Sequence, residues 1–187
     1  MAAPLLGQLL ASGFLTPRPT ATPWASPETA PTPTPSWGGA EHPAGISRPG
    51  GARRPGAAAT AALASAIALR TMGPARYAMR RVTTVVRAAA STCHHPATPA
   101  QATAAVLAVR HAGWHSPART ACLEESAATV LLLAARRLSV TWCHGVAPDP
   151  VRLHAWVETD DGVPVAEPPS TLDYTPALTI GGRHQQQ

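Results

Sequence analysis

The stretch "CLEESAATVLLLAARRLSVTWCHGV", residues 122–146, changes its hydrophobic period from about 3.6 residues to 2 and therefore joins a helix to a strand. Its first part, residues 122–138, has two glutamates in its first turn and two arginines in its last, as the helix dipole favours. Residues 130–133 are apolar on every face, which predicts that this is the core helix. The alternation that follows predicts a strand over residues 139–146.

The segments after this stretch predict a small antiparallel sheet. Residues 152–159 alternate as a strand does, and the turn sequence "DDG" at 160–162 leads into a short return strand at 163–167. The segment "LDYTPALTIGG", 172–182, adds one more strand near the end of the chain. Helices followed by strands indicate an α+β fold, in which N-terminal helices and the core helix pack on the sheet.

Three further helices are predicted upstream. The first covers residues 57–71, and the second covers residues 75–90, where the apolar side chains fall on one stripe. The third starts at Thr98, a capping residue that Pro99 follows, and is predicted to stop at Gly113.

The composition of the chain divides it into one domain and two appendages. Residues 1–56 are rich in Pro, Gly, Thr and Ala and poor in bulky apolar side chains, which predicts disorder. The ordered domain is expected over residues 57–180, with a disordered tail over residues 181–187.

The apolar content of the chain argues against a membrane protein. Hydrophobic residues make up 45% of the 187 residues, but many are alanine, and the longest apolar run, residues 57–69, is too short for a bilayer. The N-terminus lacks the basic start of a secretory signal, so we expect a cytoplasmic protein. Three cysteines, an odd number, favour free thiols over a disulfide scaffold.

The charges are segregated along the chain. All fifteen basic residues are arginines, and no acidic residue lies between Glu41 and Glu124. A basic N-terminal half suits an acidic protein face, peptide, membrane surface or nucleic acid, while a solvated helical face explains the same pattern without a partner.

The residue with the clearest chemical potential is Cys122, at the start of the core helix. Unpaired N–H groups at a helix N-terminus favour a thiolate, which needs a histidine to exchange its proton. His154 lies on a strand that packs near this helix and can serve as that base. A third group must orient the imidazole, and Glu167, Asp160 and Asp161 are the candidates.

The alternation of the strand predicts the surroundings of this site. His154, Trp156 and Glu158 should share one face, so that Trp156 shields the imidazole from water. Trp142 and His144, on the neighbouring strand, are expected to line the same substrate pocket.

Other sites are weaker candidates. Cysteine and histidine recur at 93–95, His111, His115 and 142–144, but their spacing matches no closed zinc site, so we expect no metal. Ser126 is not in a nucleophile elbow. No glycine-rich phosphate loop is present in the sequence, and no cofactor is expected.

Several motifs together resemble one known family. The ordered set "CL..S", "TWCHGV", "HAWVE" and "VAEP", within residues 97–180, is similar to the lasso-peptide biosynthesis B2 proteins, which are transglutaminase-like cysteine peptidases. The resemblance implies that the protein removes the leader from a ribosomally made precursor peptide. A separate ATP-using cyclase would then close the macrolactam ring of the core peptide.

The resemblance also implies roles for individual residues. Cys122 would be the nucleophile, His154 the base and Glu167 the third member, although relatives often carry Asp near that last position. Two departures are Ala121, where the family often has Gly, and Glu125, where many members have Arg. A carboxylate at 125 would either weaken the thiol as a nucleophile or alter substrate preference.

The same resemblance implies a binding partner for this protein. Leader recognition in such pathways uses a small winged-helix-like domain, which residues 1–56 cannot form, so a separate leader-binding protein is expected. We place its contact on the arginine-rich helices between residues 57 and 119, and we expect neither nucleic acid nor a membrane span. A non-catalytic scaffold for the leader and transglutaminase-type acyl transfer remain the alternatives.

Overall fold

The computed structural model describes residues 55–148 and 151–182, which form four helices followed by a small antiparallel sheet. The helices are α1 (Ala57–Thr71), α2 (Ala78–Ser91), α3 (Pro99–Trp114) and α4 (Cys122–Ala134). The strands are β1 (His95–Pro96), β2 (Leu138–Ser139), β3 (Thr141–Ala147), β4 (Arg152–Glu158) and β5 (Thr175–Ile180). This arrangement confirms the α+β class.

Most of the two predicted appendages lies outside the described residues. Of the predicted disordered segments 1–56 and 181–187, the structure describes residues 55–56 and 181–182, so the boundaries of the domain at 57–180 stay a prediction. No helix within 55–148 or 151–182 combines the length and the apolar character that crossing a membrane requires.

The first two helices meet at a turn that one arginine ties together. Residues 75–77 form a 3-10 turn, so the second helix begins later than predicted. Arg81 donates hydrogen bonds to the carbonyl oxygens of Leu69, Pro74 and Arg70, at 2.8, 3.1 and 3.2 Å. Because the last carbonyls of a helix lack intrahelical partners, Arg81 caps α1.

The third helix starts as predicted but ends later. Thr98 and Gln101 exchange hydrogen bonds in a capping box. The helix continues through Gly113 to Trp114, so the predicted stop is wrong. A Cβ at Gly113 would lie 3.0 Å from the hydroxyl of Thr120 and 3.4 Å from a carboxylate oxygen of Glu125. The glycine therefore allows a close approach of the following segment instead of ending the helix.

The core helix α4 lies in the protein interior, as predicted. Nine of its thirteen residues are buried, and they come from all of its faces. It ends before the predicted residue 138, because Arg137 has a φ of 60° and turns the chain towards β2. Arg136 and Arg137 thus lie beyond the helix, not in its last turn.

The three longer strands form the sheet, in the order β4-β3-β5. The central strand β3 pairs antiparallel with both neighbours, and Gly145 stands opposite His154 on β4. β5 confirms the strand predicted near the end of the chain. The short strands β1 and β2 pair in parallel apart from this sheet.

The predicted return strand at 163–167 is wrong. Only one bridge forms there, between Glu158 and Pro164. Proline has no N–H to donate to a ladder, and Ala166 has a φ of 53°, which directs the chain away from the edge of β4. Glu167 consequently lies on a loop that passes beside β4.

Candidate active site

Cys122 is the first residue of α4 and its thiol is partly exposed. The preceding residue, Ala121, is extended and provides no side chain to cap the helix. Its own N–H donates to the carboxylate of Glu124 at 3.1 Å. The N–H groups of the first helical turn have no intrahelical acceptor, so the positive end of the helix faces the thiol. This environment suits a thiolate and an oxyanion.

His154 lies on the edge strand β4 and connects the thiol with a carboxylate. Its Nε2 is 2.8 Å from Oε2 of Glu167, and the side chain of Cys122 is close enough to raise the pKa of the ring. Since Nε2 is engaged by Glu167, Nδ1 is the nitrogen available to the sulfur. The imidazole is 6% exposed, so these contacts are largely shielded from water.

The electrostatics of His154 favour the imidazolium form. Burial lowers the pKa of His154, but the hydrogen bonds to Cys122 and Glu167, together with the negative charges of both, raise it from 6.5 to about 9. The structure therefore places an imidazole of raised pKa beside a thiol and a carboxylate.

Glu167 reaches His154 from the loop after β4, and its side chain is 5% exposed. Its Oε2 also accepts a hydrogen bond from the hydroxyl of Thr171 at 3.3 Å. The two other candidates for this position lie elsewhere: Asp161 accepts from Thr159 within the turn, and Asp160 is exposed. Of the three carboxylates considered, the structure brings only Glu167 to the imidazole.

Aromatic rings cover the far side of the imidazole. Trp156 stacks on His154 with ring centroids 5.7 Å apart and planes 14° apart, as the alternation predicts, and its indole donates to Glu158 at 2.9 Å. Tyr174 lies 5.2 Å from His154. A Cβ at Gly145 would stand 2.7 Å from the Trp156 ring, so the glycine makes room for this stack.

The other two predicted pocket residues lie on the opposite face of the sheet. Trp142 is fully buried and donates from its indole to Ser126 of α4 at 2.9 Å, so it is a core residue and not part of an open pocket. His144 is partly exposed on the same face as Trp142. Burial and then the charge of His154 lower the pKa of His144.

Arg110 of α3 contacts this cluster and was missed by the motif analysis, which grouped it with the basic surface. Its side chain is 6% exposed, and its Nη2 is 2.5 Å from Oε1 of Glu167. Its Nη1 donates to the carbonyl oxygen of Ala166 at 2.6 Å. The sequence pattern that indicates its burial is its position one turn after Val106, on the buried stripe of α3.

Glu125, which the sequence marks as unusual, also lies against this arginine. Its Oε2 is 3.7 Å from Nε of Arg110, and its Oε1 accepts a hydrogen bond from Thr120 at 3.0 Å. Burial raises the pKa of Glu125, opposed by the Thr120 hydrogen bond and the Arg110 charge. Cys122, Glu125, Glu167 and Arg110 therefore line one small cavity.

Within the described segments, no three His, Cys, Asp or Glu side chains are grouped so that they could hold a metal ion. The three cysteines are all free thiols.

Comparison with known proteins gives one match. A family model described as the transglutaminase-like superfamily covers residues 68–179, more than half of the chain. The matched span runs from α1 into β5 and includes Cys122, His154 and Glu167. Neither the curated proteins nor the solved structures contain a match.

Proposed function

The chain belongs to the transglutaminase-like superfamily, whose members are in general cysteine-dependent enzymes, and from this membership we propose that it is a cysteine peptidase. Cys122 is the nucleophile, His154 exchanges its proton and Glu167 orients the imidazole. The observation that carries this proposal is the position of His154, whose Nε2 is 2.8 Å from the Glu167 carboxylate and whose pKa the neighbouring side chains of Cys122 and Glu167 raise.

The proposed reaction has two stages. The proton of Cys122 passes to Nδ1 of His154 before the sulfur attacks the carbonyl carbon of a peptide bond, and the N–H of Cys122 faces the resulting oxyanion. The C–N bond then breaks as His154 returns the proton to the leaving amine. Water next attacks the thioester, His154 takes a proton from it, and the C–S bond breaks to restore the thiol.

We propose that the substrate is a lasso precursor peptide. The support is the ordered set of motifs that resembles the lasso-peptide B2 proteins over residues 97–180. In this reaction the leader forms the thioester on Cys122, and the core peptide departs with a new N-terminal amine. That amine is the group that a separate macrolactam cyclase would use, and the cytoplasm is where these steps would occur.

A separate leader-binding protein completes the proposal. Arg70 pairs with Glu124, and Arg81 and Arg110 bind groups inside the domain, so these three arginines do not offer a free basic surface. Arg80 and Arg87 are exposed on α2, and we place the partner contact there. Exchanging both for Glu should weaken binding of the leader-binding protein about tenfold at low salt. Unchanged binding would remove this surface from consideration.

Exchanging Cys122 for Ala separates the peptidase from a non-catalytic scaffold. We expect the variant to keep its fold and lose cleavage of the precursor, whereas Cys93→Ala, at another partly buried thiol, should keep both. A Cys122→Ala variant that still supports leader removal would favour the scaffold. Product mass distinguishes the two enzymatic reactions, because hydrolysis adds water to the leader and acyl transfer adds an amine.

A further inference from the structure

Arg110 binds the loop that carries Glu167 at two successive positions. One guanidinium nitrogen donates to the carbonyl oxygen of Ala166 at 2.6 Å, and another lies 2.5 Å from Oε1 of Glu167. The planar fork of an arginine matches such paired acceptors, whereas a lysine ammonium is a single point charge. The loop is thereby attached to α3, a helix that contacts the core helix α4.

The backbone at this attachment is in a conformation that needs support. Ala166 has a φ of 53°, in the left-handed region that residues with a Cβ rarely occupy. The carbonyl oxygen that Arg110 binds belongs to this residue. Arg110 therefore stabilises the turn of the loop that places Glu167 against His154.

The two oxygens of Glu167 have different partners. Oε1 binds Arg110, while Oε2 binds His154 and Thr171. With one oxygen fixed by the arginine, rotation of the carboxylate away from the imidazole would break the charge-assisted pair. Such outer partners commonly set the orientation of the groups they contact.

Arg110 also lies between two carboxylates that face the same cavity. Glu125 and Glu167 both line the cavity with Cys122, and Arg110 is the cation that both of them approach. Without this charge, the two carboxylates would repel each other, and Glu125 would add an unbalanced negative charge beside the thiol.

We propose that Arg110 is a positioning residue for the cysteine nucleophile: it fixes Glu167 against His154 and balances Glu125. This inference rests on the proposed function, and it is tested without the natural substrate. The probe is iodoacetamide, whose reaction at Cys122 is followed by mass spectrometry of the full chain's peptides at pH 6 to 9. Cys93 in the same samples is the internal reference thiol.

Arg110→Met should slow alkylation of Cys122 about 10- to 100-fold near pH 6, the range typical for loss of an orienting outer partner. Arg110→Lys should recover part of the loss, and Arg136→Met, at an exposed arginine beyond the end of α4, should change nothing. Circular dichroism and thermal unfolding identify a variant that fails to fold. If Arg110→Met does not fold, Arg110→Lys is compared with the wild type in its place.

A double-mutant cycle separates positioning from general support of the fold. In a Glu167→Gln background, the exchange at Arg110 should slow alkylation less than it does in the wild type, because the route through Glu167 and His154 is already lost and only the balance of Glu125 remains. Equal effects in both backgrounds, or a folded Arg110 variant that reacts as wild type, would overturn the inference. If Cys122 of the unaltered protein reacts no faster than Cys93, the proposed function itself fails instead.

Discussion

Replacing Glu167 by Gln tests whether the carboxylate holds the imidazole of His154 as a cation. Burial lowers the pKa of His154, but Cys122 and Glu167 together raise it from 6.5 to about 9. Gln keeps the shape and an acceptor oxygen but removes the charge. Because two partners share the effect and some solvent screening remains, we assign the charge of Glu167 about 1–2 kcal/mol, or a 5- to 30-fold smaller imidazolium-to-imidazole ratio at a given pH.

The direction of the pH dependence follows from the raised pKa. A group whose pKa is higher in the folded state than in the unfolded state stabilises the fold while it is protonated. The contribution of His154 is therefore fully present below about pH 6.5 and is lost as the pH rises through about 9. The pH-dependent part of the stability difference between wild type and Glu167→Gln should be largest near the lower value and disappear above the higher one.

Two measurements check this prediction. A nuclear magnetic resonance titration of the histidine rings, with His154→Gln to assign the signal, should give a lower midpoint for His154 in the Glu167→Gln variant. Urea unfolding at a series of pH values should give the stability difference. A midpoint near 6.5 in the wild type, or a stability gap that widens towards alkaline pH, would refute the electrostatic account of this site.

Two further exchanges test the packing around the site. Gly145→Ala should lower the free energy of unfolding, measured in urea, by about 1–3 kcal/mol, because the new methyl group would overlap the ring of Trp156. Its control is Gly56→Ala, because a Cβ at Gly56 meets nothing within 4 Å. Arg81→Met should cost about 1–3 kcal/mol through the lost caps of α1, while Arg80→Met at the exposed neighbouring position should cost less than about 0.5 kcal/mol. If a variant and its control lose the same free energy of unfolding, the contact assigned to that variant is contradicted.

The periodic parts of the sequence predicted the fold well. The bounds of α1, the capped start of α3, the core helix and the strands β3, β4 and β5 all follow from local patterns. The errors occur where a distant contact overrides the local signal. Gly113 was predicted to end α3 because glycine commonly does so, but here its missing Cβ admits Thr120 and Glu125, which no pattern in one segment reveals.

The site could be predicted in part for the same reason. Cys122 and His154 carry strong local signals, a helix start and an alternating strand. Glu167 was expected on a return strand at 163–167, yet it reaches the imidazole from a loop that Arg110 holds. Trp142 was expected to line the pocket from the neighbouring strand, but it packs on the other face of the sheet and donates a hydrogen bond to Ser126.

Because Trp156 stacks on His154, the fluorescence of Trp156 should report the protonation state of His154. A protonated imidazole in contact with an indole face is attracted to the ring and quenches its emission, whereas a neutral imidazole quenches far less. Fluorescence from Trp156 should therefore brighten whenever His154 gives up its proton. Stopped-flow measurements on a chain whose other tryptophans are replaced by Phe could then time each stage of turnover without an added dye.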